Sequence, residues 1–268
     1  MKPAIATAFD YNIPFVQMIP MIQQAGFEII ALGGMANHSG YPTIKGRVKI
    51  KKLVKENGLK INSVHSPIEG GQLFSLDEAK RRESINQCKM AIDAAFDLNV
   101  EIVVIHSGVG SPERNIQNKI INKGIESIGV LADYSSDKQV KLAVENTTGE
   151  NSAEILEGVL AEFSGDPVGF CYDVGHENVN GKCFQTLEKF GNRLLTTHLH
   201  DNFGKDSHML PYEGNIDWDR FKRVFYNLNY SGNLLLEPVI ENSQFKNPKI
   251  FLYEAKIRAE KLLQLSIK

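Results

Sequence analysis

The chain has 268 residues, with 30 Lys and Arg set against 32 Asp and Glu, for a formal net charge of −2 at pH 7. That length suits one barrel-sized domain spanning 1–268 better than two small domains, and the charge balance gives no global drive toward nucleic acid. Three cysteines without CxxC spacing argue against a disulfide framework or a thiolate zinc site and point to a reducing compartment.

The opening MKPAIATAFDYN is too short in apolar length for a signal peptide, and no apolar run approaches a membrane span. A cytoplasmic protein without a membrane partner is therefore expected. The first strand is predicted near 3–9 and the second near 28–32. No GxGxxG follows the first strand, which disfavours a doubly wound dinucleotide-binding sheet. The helix after strand two should stop at Asn57-Gly58, a left-handed cap signal. Strand three, near 60–65, ends at His65. Ser75 and Glu78 have the spacing of a capping box for the next helix, where Ile85, Cys88, Ile92 and Ala95 repeat as one buried stripe. Strand four, near 101–106, ends at His106, and strand five, near 140–145, ends at Glu145. Strand six, near 168–173, ends at Asp173, and strand seven, near 194–199, carries His198. Asp217 should cap the helix that begins at Trp218. Strand eight, near 233–237, ends at Glu237, and Asn247-Pro248 should open the last helix.

Eight strands alternating with helical patterns imply parallel crossovers, and the fold class expected is α/β, a single (β/α)8 TIM barrel. In such a barrel all C-terminal strand ends meet at one mouth. Ionisable residues that close buried apolar strands are costly unless they share a task there. Residues two apart share a strand face, so Ala143 lies beneath Glu145, and Cys171 and Gly169 lie beneath Asp173. Those small residues leave room at the barrel centre. Glu145, Asp173, His198 and Glu237 then form a donor set of three carboxylates and one imidazole. It suits Zn²⁺, Mn²⁺, Mg²⁺ or Co²⁺, with no soft ligand to select copper.

A second set surrounds the first: His65, His106, His176, Asp206 and His208. An Asp-x-His pair on a loop can grip one metal together, with His176 as a third ligand; the alternative for these residues is contact with substrate or loop carbonyls. His38 reads as a loop residue. His200 shares a face with His198 but lies further out, a weaker ligand candidate than His198. Cys171 reads as pocket wall, since no charge other than a metal would activate its thiol.

These residues stand in VHSP (64–67), VIHSG (104–108), VENT (144–147), YDVGH (172–176), HLHDN (198–202), DSHMLPYEGNIDW (206–218) and LLLEP (234–238). Together they resemble the xylose isomerase-like barrel superfamily over nearly the whole chain. That superfamily includes sugar isomerases, ketose 3-epimerases, inosose-processing enzymes and the endonuclease IV family. The resemblance implies that Glu145, Asp173, His198 and Glu237 hold a metal. It implies that Glu145 and Glu237 are an acid/base pair and that His176 contacts substrate; His200 is a further expected substrate contact. The trinuclear zinc set of the endonuclease IV relatives would add His65, His106, His176, Asp206 and His208, giving one to three ions. Two departures stand out. The loop after strand seven reads Tyr212-Glu213-Gly214 where many relatives have Gly before Glu-Gly. Loop residues that penetrate DNA are not recognisable after VHSP, where Ile68-Glu69-Gly70-Gly71 follows.

The expected function is a divalent-metal-dependent isomerase or epimerase of a sugar, sugar phosphate or related polyol, with the acid/base glutamates shifted in pKa toward neutrality. The alternative is a zinc-dependent phosphodiester hydrolase like endonuclease IV. The expected partner is a small sugar-like molecule rather than nucleic acid, with homo-oligomerisation open.

Overall fold

The computed structural model describes every residue except 69–71, 150, 166 and 265–268. Glu69, Gly70 and Gly71, part of the loop flagged above, thus lie outside the described residues. Eight strands form one sheet: β1 (Pro3–Ala6), β2 (Ile29–Leu32), β3 (Lys60–His65), β4 (Ile102–His106), β5 (Lys141–Glu145), β6 (Val168–Asp173), β7 (Leu194–His198) and β8 (Leu234–Leu236). Their order is β7-β6-β5-β4-β3-β2-β1-β8, with every neighbouring pair parallel. The seam between β7 and β8 closes just past β7. There the Leu199 N–H donates to Leu235 O at 3.0 Å and the Glu237 N–H donates to Leu199 O at 3.1 Å. Upstream, the Thr197 hydroxyl accepts from the Leu235 N–H at 3.1 Å, so a side chain supplies a missing rung. The (β/α)8 barrel expected from the strand–helix alternation is the fold observed.

The described helices are α1 (Phe15–Gln24), α2 (Ala36–Ser39), α3 (Ile44–Glu56), α4 (Glu78–Leu98), α5 (Arg114–Ser136), α6 (Ser152–Glu162), α7 (Val174–Val179), α8 (Gln185–Phe190), α9 (Trp218–Tyr226) and α10 (Pro248–Leu263). The end of α3 is a Schellman cap as the Asn57-Gly58 signal predicts: the Leu59 N–H donates to Val54 O at 3.0 Å, with Gly58 at φ +65°. Asp217 caps α9 through the Arg220 N–H at 2.8 Å, and Asn247 caps α10 through Lys249 and Ile250.

Two sequence expectations shift. The first strand ends at Ala6, and Thr7–Phe9 turns into a 3-10 helix. The Thr7 hydroxyl takes the Gly33 N–H at 3.0 Å, and the chain leaves the ladder there. The cap of α4 is Asp77 instead of a Ser75–Glu78 box: its carboxylate accepts from the Ala79 and Lys80 N–H groups at 2.9 and 3.2 Å. Ser75 caps one step earlier, taking the Asp77 N–H at 3.1 Å. A carboxylate near a helix N-terminus also complements the helix dipole, which a serine cannot match.

Alternation along the strands divides the core. Ile5, Ile30, Val103, Ile105, Leu142, Val144, Phe170 and Tyr172 face outward into the layer packed by the helices. Inside, Ala4, Ala6, Ile29, Ala31 and Leu235 form one cluster, and Val104, Ala143 and Cys171 form another. Each fully buried aliphatic side chain contributes about 1.5–3 kcal/mol, so the outer layer carries most of the stability. The small inner residues stop the filling short of the C-terminal rim and leave that space to polar side chains.

Candidate metal centre

The strand register sets the site. His106 pairs across the ladder with Glu145, and Asp173 pairs with His198, so neighbouring strand ends deliver their ionisable groups side by side. His65 ends β3 and Glu237 follows β8. All six residues named from strand ends therefore gather at one rim.

Glu145 is the hub. Its Oε1 lies 3.2 Å from His198 Nδ1 and 3.4 Å from His176 Nδ1. Its Oε2 lies 3.4 Å from His65 Nε2 and 3.6 Å from His106 Nε2. Glu237 Oε2 approaches the same His198 Nδ1 at 3.0 Å. The ligand-capable atoms of Glu145, Asp173, His198 and Glu237 all lie within 4.8 Å of one another. Donors that share one ion at roughly 2.0–2.4 Å need that spacing. Both Glu145 oxygens and His198 Nδ1 are buried without a hydrogen-bond partner. Leaving such groups unpaired costs about 1–3 kcal/mol each, more for charged ones, so the donor set fits a cation between them.

The outer histidines are oriented by backbone carbonyls. His65 Nδ1 contacts Ser66 O at 2.7 Å, His176 Nδ1 contacts Asn146 O at 2.9 Å, and His208 Nδ1 contacts Glu237 O at 2.8 Å. In the neutral ring these contacts assign the proton to Nδ1 and leave the Nε2 lone pair free, as metal-binding histidines are commonly held. The free Nε2 atoms of His176 and His208 lie 3.5 and 3.2 Å from the Asp206 carboxylate. His65, His106 and Glu145 make a third group of metal-binding dimensions.

Charge follows the same geometry. Burial pushes the Glu145 carboxyl up, but His198, His106 and His65 outweigh it and hold the group well below the usual carboxylate range. Burial likewise opposes, and His198 overcomes, the shift of Glu237, which falls to about 2. These shifts run opposite to the move toward neutrality expected from the sequence, because the imidazoles gathered around each carboxylate stabilise its charged form more than burial opposes it. Burial would lower His198, yet contact with Cys171, Glu145 and Glu237 raises it well above the usual value. Burial keeps the Cys171 thiol protonated, up to about 12, so the two carboxylates carry that effect near neutrality. In the outer group, burial lowers and the nearby carboxylates raise His176 and His208, to about 10 and about 9. Burial raises Asp206, but His176 and His208 hold it far below its usual range. Burial pulls His106 down to about 4.

Two residues that sequence reading passed over fasten these groups. The Asn146 amide donates to Asp173 O at 2.7 Å and accepts the Asp173 N–H at 2.8 Å, extending the β5–β6 ladder by a side chain. Asp201, buried, accepts from the Asn202, Ile216 and Tyr212 N–H groups and from Trp218 Nε1 at 2.8–3.2 Å. Its backbone also exchanges two 2.8 Å bonds with Met209, which draws 202–208 into a closed loop with Asp206 and His208 facing the barrel. The only sequence signal for either was a short polar residue just after a functional strand end.

A cavity of about 680 Å³ opens above the centre, lined by Asp10, Tyr11, His65, Glu145, Glu237 and Glu241 among others. A neighbouring cavity of about 410 Å³ shares His106, His176 and Asp206 with it and extends to Phe74, Leu76 and Val109. Tyr11 was missed by the sequence reading; its hydroxyl accepts the Met35 N–H at 3.3 Å and faces the larger cavity. His38, expected in a loop, lies instead in the short helix α2, with Nε2 2.8 Å from Ile13 O. His200 departs from its expected contact with substrate. It is fully buried, lines neither cavity, and lies behind Asp173 and His208. Leu199 pairs with Leu236, so the alternation carries past β7 and keeps His200 on the face of His198, where the His208 ring and the Gly175 backbone cover it.

A family model described as the xylose isomerase-like TIM barrel matches residues 19–260. An uncharacterized protein of Sinorhizobium fredii, y4fM, is 28% identical over 247 residues, covering 82% of this chain and 79% of that protein. A fructoselysine 3-epimerase of Shigella flexneri is 24% identical, covering 98% of both chains. The solved structure of a D-tagatose 3-epimerase-like protein shares the fold with a TM-score of 0.83 at 21% identity, covering 98% of this chain and 97% of that one. With the family match spanning most of the barrel that carries these residues, the chain belongs to the xylose isomerase-like TIM barrel family.

Proposed function

We propose that this chain is a divalent-metal-dependent epimerase or isomerase of a sugar or related polyol, moving a proton at the carbon next to a carbonyl. The carrying observation is a pair of carboxylates, Glu145 and Glu237, that flank one imidazole at 3.2 and 3.0 Å and both line the larger cavity. Similarity to a fructoselysine 3-epimerase and to a D-tagatose 3-epimerase-like fold supports the reading.

Glu145, Asp173, His198 and Glu237 would hold the first ion, with zinc or manganese favoured and magnesium or cobalt compatible. A divalent ion bound there supplies Lewis-acid polarisation of a carbonyl and an adjacent hydroxyl oxygen. Inversion then needs one carboxylate to remove the proton from one face of the carbon and the other to return a proton to the opposite face. The ionised state favoured for both glutamates suits the first task. A substrate closing over Glu237 strips its remaining water and raises its pKa, the direction that proton return requires. His176 and Tyr11, on the cavity walls, would contact substrate hydroxyls. Among the described residues neither cavity is lined by Lys or Arg, so an unphosphorylated ligand is the better fit.

The second reading, a zinc-dependent phosphodiester hydrolase, draws on two further groups, His65–His106–Glu145 and the triad His176–Asp206–His208, which lies within a group of metal-binding dimensions that also includes His200. The lack of Lys and Arg in either cavity wall among the described residues opposes it, since duplex binding depends on several phosphate contacts from those side chains. Elemental analysis of untagged protein, followed by a screen of ketoses and abasic oligonucleotides, tests the two readings together. Metal-dependent interconversion of a ketose, lost in Glu237→Gln, supports the first. Metal-dependent strand cleavage with every ketose inert installs the second.

A further inference from the structure

His200 is a buried imidazole that the mechanism above does not use. Its Nε2 lies 3.1 Å from the Asp173 carboxylate. Its ring stacks on His208 with centroids 3.7 Å apart and planes at 8°. A third wall is the backbone at Gly175, where an added Cβ would lie 2.0 Å from His200 Cε1 and 2.4 Å from Nδ1. Residue 175 must therefore lack a side chain for the ring to sit flat where it does. Its neighbour Asp173 has a second bond, accepting the His176 N–H at Oδ1 at 2.7 Å.

We infer that His200 is a positioning residue that ties the inner quartet to the outer triad. One edge of the ring fixes Asp173, a member of the quartet Glu145–Asp173–His198–Glu237. One face fixes His208, a member of the triad His176–Asp206–His208. Three contacts remove the freedom of the ring to rotate, so one rigid plane holds Asp173 by its edge and His208 by its face. The inference rests on the proposed ion in the inner quartet and adds to it a second ion held by the outer triad. Removing the partner of a metal-ligating carboxylate commonly weakens affinity about 10–100-fold, which sets the size of the effect.

Two substitutions separate the edge from the face. His200→Phe keeps a flat ring against His208 and removes the donor to Asp173. His200→Gln retains an Nε2 donor for Asp173 and removes the stack. Chelator-competition titrations of the wild type and both variants with zinc and with manganese read each ion separately, without any substrate. His200→Phe is expected to bind the inner ion about 10–100-fold more weakly and the outer ion unchanged. His200→Gln is expected to do the reverse. If His200→Phe fails to fold, His200→Gln decides alone, since loss of the inner ion or retention of both at full affinity overturns the inference. A wild type that binds fewer than two ions overturns the multi-metal reading and the coupling together. A wild type with two sites, unaltered in both variants, overturns only the role of His200.

Discussion

Asp201 makes the strongest energetic claim on the candidate site without touching it. Its Oδ1 takes the Asn202 and Ile216 N–H groups, and its Oδ2 takes the Tyr212 N–H and Trp218 Nε1. Asp201→Asn keeps the size but turns one oxygen into an amide NH2. Two of the four donors then face another donor, whichever way the amide turns. Hydrogen bonds to a charged acceptor contribute about 1.5–3 kcal/mol each, so two lost bonds cost about 3–6 kcal/mol. The loop can open to water and recover part of that, which leaves about 2–4 kcal/mol. For a chain of this size a loss of 1 kcal/mol lowers Tm by about 2–4 °C, so a drop of roughly 4–16 °C is expected in a thermal melt. The damage should concentrate in the loop, because the barrel seam is held at Thr197 and Leu199 instead. Amides of Tyr212 and Ile216 should lose hydrogen-exchange protection while the strand amides keep theirs. A variant within about 1 kcal/mol of wild type, with both amides still protected, would show that the loop is fastened by something other than this carboxylate.

Other perturbations address the chemistry directly. Glu145→Gln and Glu237→Gln should each lower turnover about 10²–10⁴-fold, the usual contribution of one acid/base group, and Glu145→Gln should also release metal; steady-state rates and elemental analysis check this. In chelator-treated protein the raised pKa values of His176 (about 10) and His208 (about 9) make the outer triad stabilising at low pH. That stabilisation is fully present below about pH 6.5 and is lost as pH rises through the folded values; Asp206, held low, contributes above about pH 4 and loses its part as pH falls. The Tm difference between wild type and His208→Ala should therefore be largest near pH 5–6 and fall by pH 10 to the part carried by the uncharged ring's contacts with Glu237 O and His200. Abasic duplex DNA should bind weakly or undetectably at physiological salt, because the cavity walls carry no Lys or Arg among the described residues; a sub-micromolar gel shift would contradict that.

Much of this was legible in the sequence because strand ends carry their own punctuation. Runs such as VVIH and LAVE end in an ionisable residue, and a parallel barrel brings such ends together whatever the helices do. The boundaries moved where side chains compete with the backbone. Thr7 replaced a ladder rung and shortened the first strand, and Asp77 displaced Ser75 as a helix cap. The contributions of Asn146 and Asp201 depend on which distant N–H and C=O groups the loops deliver, information absent from local spacing. His200 shows the same limit from the other side. The two-residue strand period puts it on the face of His198, and the pairing of Leu199 with Leu236 keeps that period, but the His208 ring and the Gly175 backbone cover it, and neither is its neighbour in sequence.

The central claim is proton transfer at a carbon beside a carbonyl, performed by Glu145 and Glu237 around a bound divalent ion. Incubating the metal-loaded protein with ketoses in heavy water and following the carbon-bound proton by NMR tests it most directly. The account predicts solvent deuterium at the carbon next to the carbonyl in at least one ketose, abolished by chelator and by Glu145→Gln. Absence of exchange in every ketose tried, alongside metal-dependent cleavage of a phosphodiester by the same preparation, would contradict it.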